Sequence, residues 1–203
     1  HSLLNQRIAP IMLRRTKGAV APELPPKTEE VIPVEFGDAQ REVYTKELAR
    51  ARMVLREKGP IEILAALTRL RQICCHPDLV QGGESGAGSA KLEALCEMIT
   101  ELVEEGHSAL VFSQFTSMLD IIRPALEDAG LRTLTITGQT PVDQRAGIVQ
   151  DFEENETSTI MLLSLRAAGT GLTLTKADYV FLYDPWWNPA VETQAIDRTH
   201  RIG

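Results

Sequence analysis

The chain has 203 residues, 43% hydrophobic and 24% charged, with a formal net charge of −7. That length holds one large domain, or one domain with a helical appendage. No apolar run approaches the ~18 residues of a bilayer crossing, and the negative charge argues against a globally basic nucleic-acid binder, although phosphate contacts need only local patches. Three cysteines, Cys74, Cys75 and Cys96, make no disulfide framework. With no signal-peptide pattern at the start, they point to a reducing, intracellular compartment. The charge is unevenly placed. Glu93, Glu97, Glu101, Glu104 and Glu105 share one expected helix, whereas residues 1–22 carry Arg7, Arg14, Arg15 and Lys17 and no acid.

In chain order, residues 3–15 read as a short helix broken near Pro10. Pro22, Pro25 and Pro26 mark an extended connector. Residues 29–36 read as a strand that Pro33 confines to a sheet edge. Asp38 is the expected cap of a charged helix over 39–58, stopped by Gly59-Pro60. A second helix over 61–75 places Ile63, Leu64, Leu67, Leu70 and Cys74 at helical spacing, giving a helical hairpin. Residues 82–90 are a glycine-rich loop. No Gly-Lys-Ser/Thr follows at the required spacing, so it is read as a surface loop and not a phosphate cradle.

From Ser89 the pattern becomes regular. Helix 90–105 leads to strand Ala109–Phe112, helix 116–129 to strand 132–137, and helix 141–154, capped by Thr140 with Pro141 first, to strand 159–163. A glycine turn and strand 179–183 follow. Short apolar strands alternating with amphipathic helices predict an α/β fold with a parallel sheet covered on both faces. Ligands of such sheets bind beyond the carboxyl ends of the strands. Those ends are Ser113-Gln114, Gly138-Gln139-Thr140, Ser164–Gly171 and Asp184–Asn188.

The chemistry gathers there. Gly169 and Gly171 allow close backbone approach, and Ser164, Arg166 and Thr170 add donors, a set suited to phosphate or to a nucleic-acid backbone or simply to a tight strand-to-helix turn. Of Trp186 and Trp187, one suits the core and the other a ligand or partner. Asn188 and Pro189 open a last helix on which Gln194, Arg198 and Arg201 share one face. Such a face fits a phosphate, because guanidinium forks stay charged at any working pH. A solvated face with an Asp197–Arg201 pair is the plain alternative. Cys74-Cys75-His76 are too closely spaced to converge on one ion, so no metal site is expected there. His107 and His200 lack a nucleophile or carboxylate partner at motif spacing.

Together these blocks resemble the Swi/Snf-type ATPases, the chromatin-remodeller-like branch of superfamily-two helicases. Asp184-Pro-Trp-Trp-Asn-Pro-Ala-Val-Glu-Thr-Gln-Ala-Ile-Asp-Arg-Thr-His-Arg-Ile-Gly203 is similar to motifs Va and VI, Ser164–Leu174 to motif V, and Leu110-Val-Phe-Ser-Gln-Phe115 to motif IV. Leu13-Arg-Arg-Thr-Lys17, Glu23-Leu-Pro-Pro-Lys27 and Leu70-Arg-Gln-Ile-Cys-Cys-His-Pro77 also resemble family blocks. The resemblance implies a RecA-like three-layer sandwich, the C-terminal one of two lobes that clamp ATP and Mg²⁺ and move along double-stranded DNA. It implies residues 1–37 as connector and edge strand from the preceding lobe, 38–80 as a helical protrusion, and 81–203 as the lobe.

By the same resemblance Arg198 and Arg201 are arginine fingers for the γ-phosphate and Gln194 supports their face. Gly169 and Gly171 couple DNA to the ATP cleft. Ser113, Gln114, Gly138, Ser164, Arg166, Thr170 and Trp187 contact DNA. The family's Walker A and Asp-Glu-x-His motifs do not occur in this sequence, so this piece of a larger enzyme is expected to be inactive alone, with the metal held mainly by the first lobe. The implied partners are double-stranded DNA, the first lobe and a DNA-bound protein target, with no membrane. The compartment is cytoplasm or nucleoid in a bacterium and nucleus in a eukaryote. The alternatives are a RecA-like DNA- or protein-binding module without catalysis and a conventional strand-separating helicase.

Overall fold

The computed structural model describes residues 28–57, 59–81, 86–168, 172 and 174–186. The chain divides into two units, the boundary falling after Ile32. Residues 28–37 form no strand, which corrects the edge strand expected over 29–36. Pro33 has no N–H to donate to a ladder, and no described strand pairs with this segment.

The first helices among the described residues are α1 (Asp38–Glu57) and α2 (Pro60–Cys75). Asp38 lies inside the first turn of α1 and not at its cap, where its charge still complements the positive end of the helix. Gly59 is the N-cap of α2 and Pro60 its first residue, a position at which the missing proline N–H costs nothing. The packed face of α2 differs from the expected stripe. Ala66, Leu70, Ile73 and Cys75 are buried, whereas Leu64 and Leu67 stand 57% and 41% exposed. Two apolar stripes interleave on α2, and the one carrying the small Ala66 packs with Ala51 of α1, Leu70, Tyr44 and Leu48. Glu47, nearly buried on α1, accepts from Arg69 of α2 at 2.8 Å and from Arg50 at 3.3 Å, which adds a polar tie to the hairpin.

After the short α3 (Asp78–Gln81) come α4 (Ala90–Glu104), β1 (Ala109–Ser113), α5 (Thr116–Asp128), β2 (Thr133–Ile136), α6 (Val142–Glu154), β3 (Ile160–Ser164), α7 (Leu165–Ala168) and β4 (Tyr179–Leu182). The four strands expected from residue 109 onward are present within a residue or two. They form a four-stranded sheet in the order β2-β3-β1-β4, and each pairing is parallel. β1 and β3 are buried at every residue, as central strands covered on both faces must be.

Alternate side chains feed two cores. Ala109, Val111, Ile160 and Leu162 pack with Leu95 and Ile99 of α4 and Met118, Leu119, Ile122 and Leu126 of α5. Leu110, Phe112, Met161 and Leu163 pack with Ile136, Phe152 of α6, Leu165 and Leu174 on the other face. The result is the expected three-layer α/β sandwich. Helix ends set the entry of the strands. Gly106 and Gly130 follow α4 and α5 with φ of +88° and +79°, and His107 N and Leu131 N donate back to Leu102 O and Leu126 O. This is the left-handed glycine stop that turns a helix into the next strand.

One expected cap moves. Pro141 occupies the N-cap of α6, which begins at Val142. The Thr140 hydroxyl instead accepts from Thr137 N at 3.0 Å, closing the turn after β2, because a threonine oxygen can serve a nearby turn as readily as a helix.

Candidate functional site

Four strand ends line the carboxyl edge of the sheet. Register pairs Ser113 of β1 directly with Ser164 of β3. Ile136 of β2 pairs with Leu163, so Thr137-Gly138 emerge beside Ser164. Leu182 of β4 pairs with Phe112 and Tyr183 N donates to Phe112 O at 3.0 Å, so Asp184 emerges beside Ser113. Ser113, Gln114, Gly138, Ser164 and Arg166, far apart in sequence, therefore share one edge. Gly169, Thr170, Gly171, Trp187, Gln194, Arg198 and Arg201 lie outside the described residues.

Asp184 is the charged centre of this edge. It is 3% exposed and its carboxylate accepts from Gln114 N at 2.9 Å and from the Ser113 hydroxyl at 3.2 Å. Burial pushes its pKa above the usual carboxylate range, while the Gln114 N–H, the Ser113 hydroxyl and the Gln114 amide pull it back. Gln114 Nε2 is buried and makes no hydrogen bond of ordinary geometry. It lies near enough to Asp184 to act on its charge.

The two serines are not surface donors. Ser113 and Ser164 are 0% and 3% exposed. The Ser113 oxygen also accepts from Phe115 N at 3.1 Å, and the Ser164 oxygen accepts from Ala167 N at 3.3 Å, starting α7. Their hydroxyls shape the loops that carry Gln114 and Arg166. Arg166 is exposed. Gly138 is exposed too, and a Cβ placed on it would meet nothing within 4 Å. Trp186 packs partly buried against the Phe112–Phe152 core, so it is the core member of the tryptophan pair.

Several working residues escaped the sequence reading. Arg145, on the first turns of α6, donates to Thr140 O at 2.9 Å, Thr137 O at 3.3 Å and Gly138 O at 3.4 Å. It holds the loop after β2 by its carbonyls. The end of α2 is satisfied by three side chains from three elements. Gln40 Nε2 donates to Ile73 O at 2.9 Å, and Ser89 Oγ and Tyr183 Oη donate to Cys75 O at 2.7 and 2.8 Å. Cys75 itself is buried, its thiol pushed up to about 12 chiefly by desolvation. His76 Nδ1 accepts from Asp78 N at 3.2 Å. His107 gains a carboxylate partner that spacing hid, Asp178 at 2.9 Å, 71 residues away and on the rim opposite to the strand ends.

The described residues do not suit Mg²⁺. No group of three or more His, Cys, Asp or Glu among them could hold a metal ion, and both oxygens of Asp184 already face Ser113 and Gln114 donors.

The helicase conserved C-terminal domain family matches residues 90–203, and the SNF2-related domain family matches residues 1–79. The chain belongs to the Swi/Snf-type ATPases, as their C-terminal RecA-like lobe. Over 98% of its length it is 38% identical to the human SWI/SNF-related matrix-associated actin-dependent regulator of chromatin subfamily A member 1, covering 20% of that protein. It is also 38% identical, over 98% of its length, to the putative ATP-dependent helicase/translocase YwqA of Bacillus subtilis, covering 23%. The chain thus spans about a fifth of the length of these relatives. Among solved structures, the Sulfolobus solfataricus SWI2/SNF2 ATPase core in complex with dsDNA superposes with a TM-score of 0.76 at 32% identity, covering 99% of this chain and 44% of that one. The C-terminal domain of the Sulfolobus ATPase gives 0.69 at 31% identity, covering 79% and 73%. The Swi/Snf-type lobe is thus recognised by its sheet and by its motif order alike. No helix among the described residues is long and apolar enough to cross a membrane.

Proposed function

We propose that this lobe is the second half of an ATP-dependent motor that translocates on double-stranded DNA. The observation that carries the reading is the shared carboxyl edge: Gln114, Gly138 and Arg166 come from three strand ends of a Swi/Snf-type lobe and lie along one edge of its sheet, and a relative of the same fold is a DNA-bound core. In the proposal Arg166, Thr170 and Trp187 and the backbone at Gly138 contact DNA, with Gly169 and Gly171 linking that contact to the ATP cleft. Ser113 and Ser164 act by placing their loops. Arg198 and Arg201, supported by Gln194, reach the γ-phosphate and stabilise transition-state charge, an effect worth roughly 10³–10⁵ in rate for such fingers. The first lobe supplies the remaining nucleotide contacts and holds Mg²⁺, so the lobe alone turns over no ATP. Residues 38–80 are the protrusion, and a DNA-bound protein is the target moved.

The test is Arg201→Ala in the full-length protein. DNA-stimulated ATPase is expected to fall at least a hundredfold with DNA affinity nearly unchanged. ATPase near the wild-type level removes the finger assignment, and turnover by this lobe alone removes the division of labour. Triplex displacement without strand separation separates a translocase from a conventional helicase.

A further inference from the structure

Three consecutive residues after β4 bond to different neighbours. Tyr183 Oη donates to Cys75 O at 2.8 Å. Asp184 accepts from Ser113 and Gln114 at the end of β1. The Pro185 carbonyl accepts from Arg71 Nη2. Two of these ties lead into α2 of the helical hairpin, and the third leads to the strand-end edge.

The Cys75 carbonyl is one of the four that a helix leaves unpaired at its C-terminus. Here it is satisfied twice, by Ser89 and by Tyr183, and Cys75 and Tyr183 are both buried in the core beneath α4 and α5. Lys91 Nζ lies 4.9 Å from the centre of the Tyr183 ring and closes it from one side. Parting a buried hydroxyl from its carbonyl leaves polar groups without water, at a cost larger than the bond's net worth. A tilt of α2 therefore carries Tyr183 with it. Planar peptide units pass that shift to Asp184 within one Cα–Cα step of ~3.8 Å, and Asp184 holds the Gln114 N–H.

We infer that Tyr183 and Arg71 are positioning residues: they couple the tilt of the helical hairpin to the placement of Gln114 on the DNA-facing edge. Neither touches ATP or DNA in the proposed function. The consequence for DNA rests on that reading, whereas the coupling itself does not.

The experiment uses the full-length protein with Tyr183→Phe and, separately, Arg71→Met. ATPase without DNA is expected to stay within twofold of wild type. The DNA concentration for half-maximal stimulation is expected to rise at least fivefold, with the rate at saturating DNA within twofold. Hydrogen exchange at Gln114 and Phe115 is expected to quicken at least tenfold in both variants. Unchanged exchange at those amides overturns the coupling, and an unchanged half-maximal DNA concentration beside normal stimulation overturns its consequence for DNA. Arg71 sits nearer the surface and gives the same reading should Tyr183→Phe fail to fold. If the wild-type protein shows no DNA-stimulated ATPase, the proposed function falls, and the exchange measurement still decides the coupling.

Discussion

Asp184 accepts the backbone N–H of Gln114 at 2.9 Å although the two lie 70 residues apart in sequence. The bond joins the ends of two adjacent parallel strands, β4 and β1, just where the sheet stops supplying partners. Asp184→Ala leaves the Gln114 N–H facing an apolar methyl, whereas the Ser113 hydroxyl keeps Phe115 O as an acceptor at 3.2 Å. At ~1–3 kcal/mol for a stranded buried donor, a loss of about 1–3 kcal/mol is expected. Asp184→Asn keeps an acceptor oxygen and removes a charge that burial already disfavours, so less than half of that loss is expected. Urea denaturation of the two variants reads this as a large and a small drop in midpoint at constant slope. Equal drops would mean that the charge, and not the acceptor, holds the joint.

Ser89 combines two tasks that are usually separate. Its oxygen caps α4 by accepting from Leu92 N at 3.3 Å, and its hydroxyl proton goes to Cys75 O at 2.7 Å. Ser89→Ala removes both, with a typical cap worth ~1 kcal/mol and the lost bond to Cys75 O, which Tyr183 still serves, adding ~1 kcal/mol. A cost of about 2 kcal/mol is therefore expected by thermal or urea unfolding. Ser89→Asp restores the cap acceptor but brings a charge to a buried carbonyl, and it is expected to be at least as destabilising as Ser89→Ala. Recovery by Asp would show that the cap alone matters.

The sheet was legible because β1 and β3 are unbroken apolar runs between helices with clean 3.6-residue spacing, and that pattern has one economical solution. The hairpin was legible as two helices but not as a packed pair. Leu64 and Leu67 follow the helical period as well as Ala66 and Leu70 do, and only the partner helix decides between them. The strand expected over 29–36 failed for a related reason, since a strand exists only where another strand accepts it. At the site, periodicity placed Ser113, Gly138 and Ser164 on one edge. It could not show that the serine hydroxyls turn inward, because Asp184, Phe115 and Ala167 become their neighbours only through tertiary structure. Arg145 was hidden likewise: its target carbonyls lie five to eight positions back, across a turn whose shape the sequence leaves open.

Alkaline pH tests the Cys75–Tyr183 contact. The Cys75 thiol, ordinarily near 9.0, is pushed up to about 12 by burial, and burial also raises the Tyr183 phenol. Both groups hold their protons more tightly folded than unfolded. The Cys75 contribution is thus fully present below about pH 9 and is lost as pH rises through its folded value near 12, and the raised Tyr183 phenol adds a loss in the same direction. Urea midpoints are expected to fall steadily above pH 9, with a shallower slope in Cys75→Ala. Native alkylation at pH 8 is expected to reach Cys75 only through unfolding, while the half-buried Cys74 reacts sooner. Prompt native labelling of Cys75 would contradict the burial on which both expectations stand.

Gly138 separates a structural glycine from a binding one. Its backbone is not among the positive-φ glycines, and an added Cβ meets nothing within 4 Å. Neither packing nor conformation demands glycine there. Gly138→Ala is therefore expected to leave stability unchanged or to raise it by up to ~1 kcal/mol, since alanine lowers the entropy of the unfolded chain. If DNA backbone approaches the loop held by Arg145, the same methyl intrudes on it. Half-saturating DNA is then expected to rise several-fold in the full-length protein, with ATPase in the absence of DNA unchanged. Arg145→Met is expected to weaken DNA binding by a different route, freeing the loop and quickening hydrogen exchange over 137–140, whereas Gly138→Ala leaves that exchange alone. A Gly138→Ala protein that binds DNA as wild type would take Gly138 out of the contact set while leaving the loop clamp by Arg145 in place.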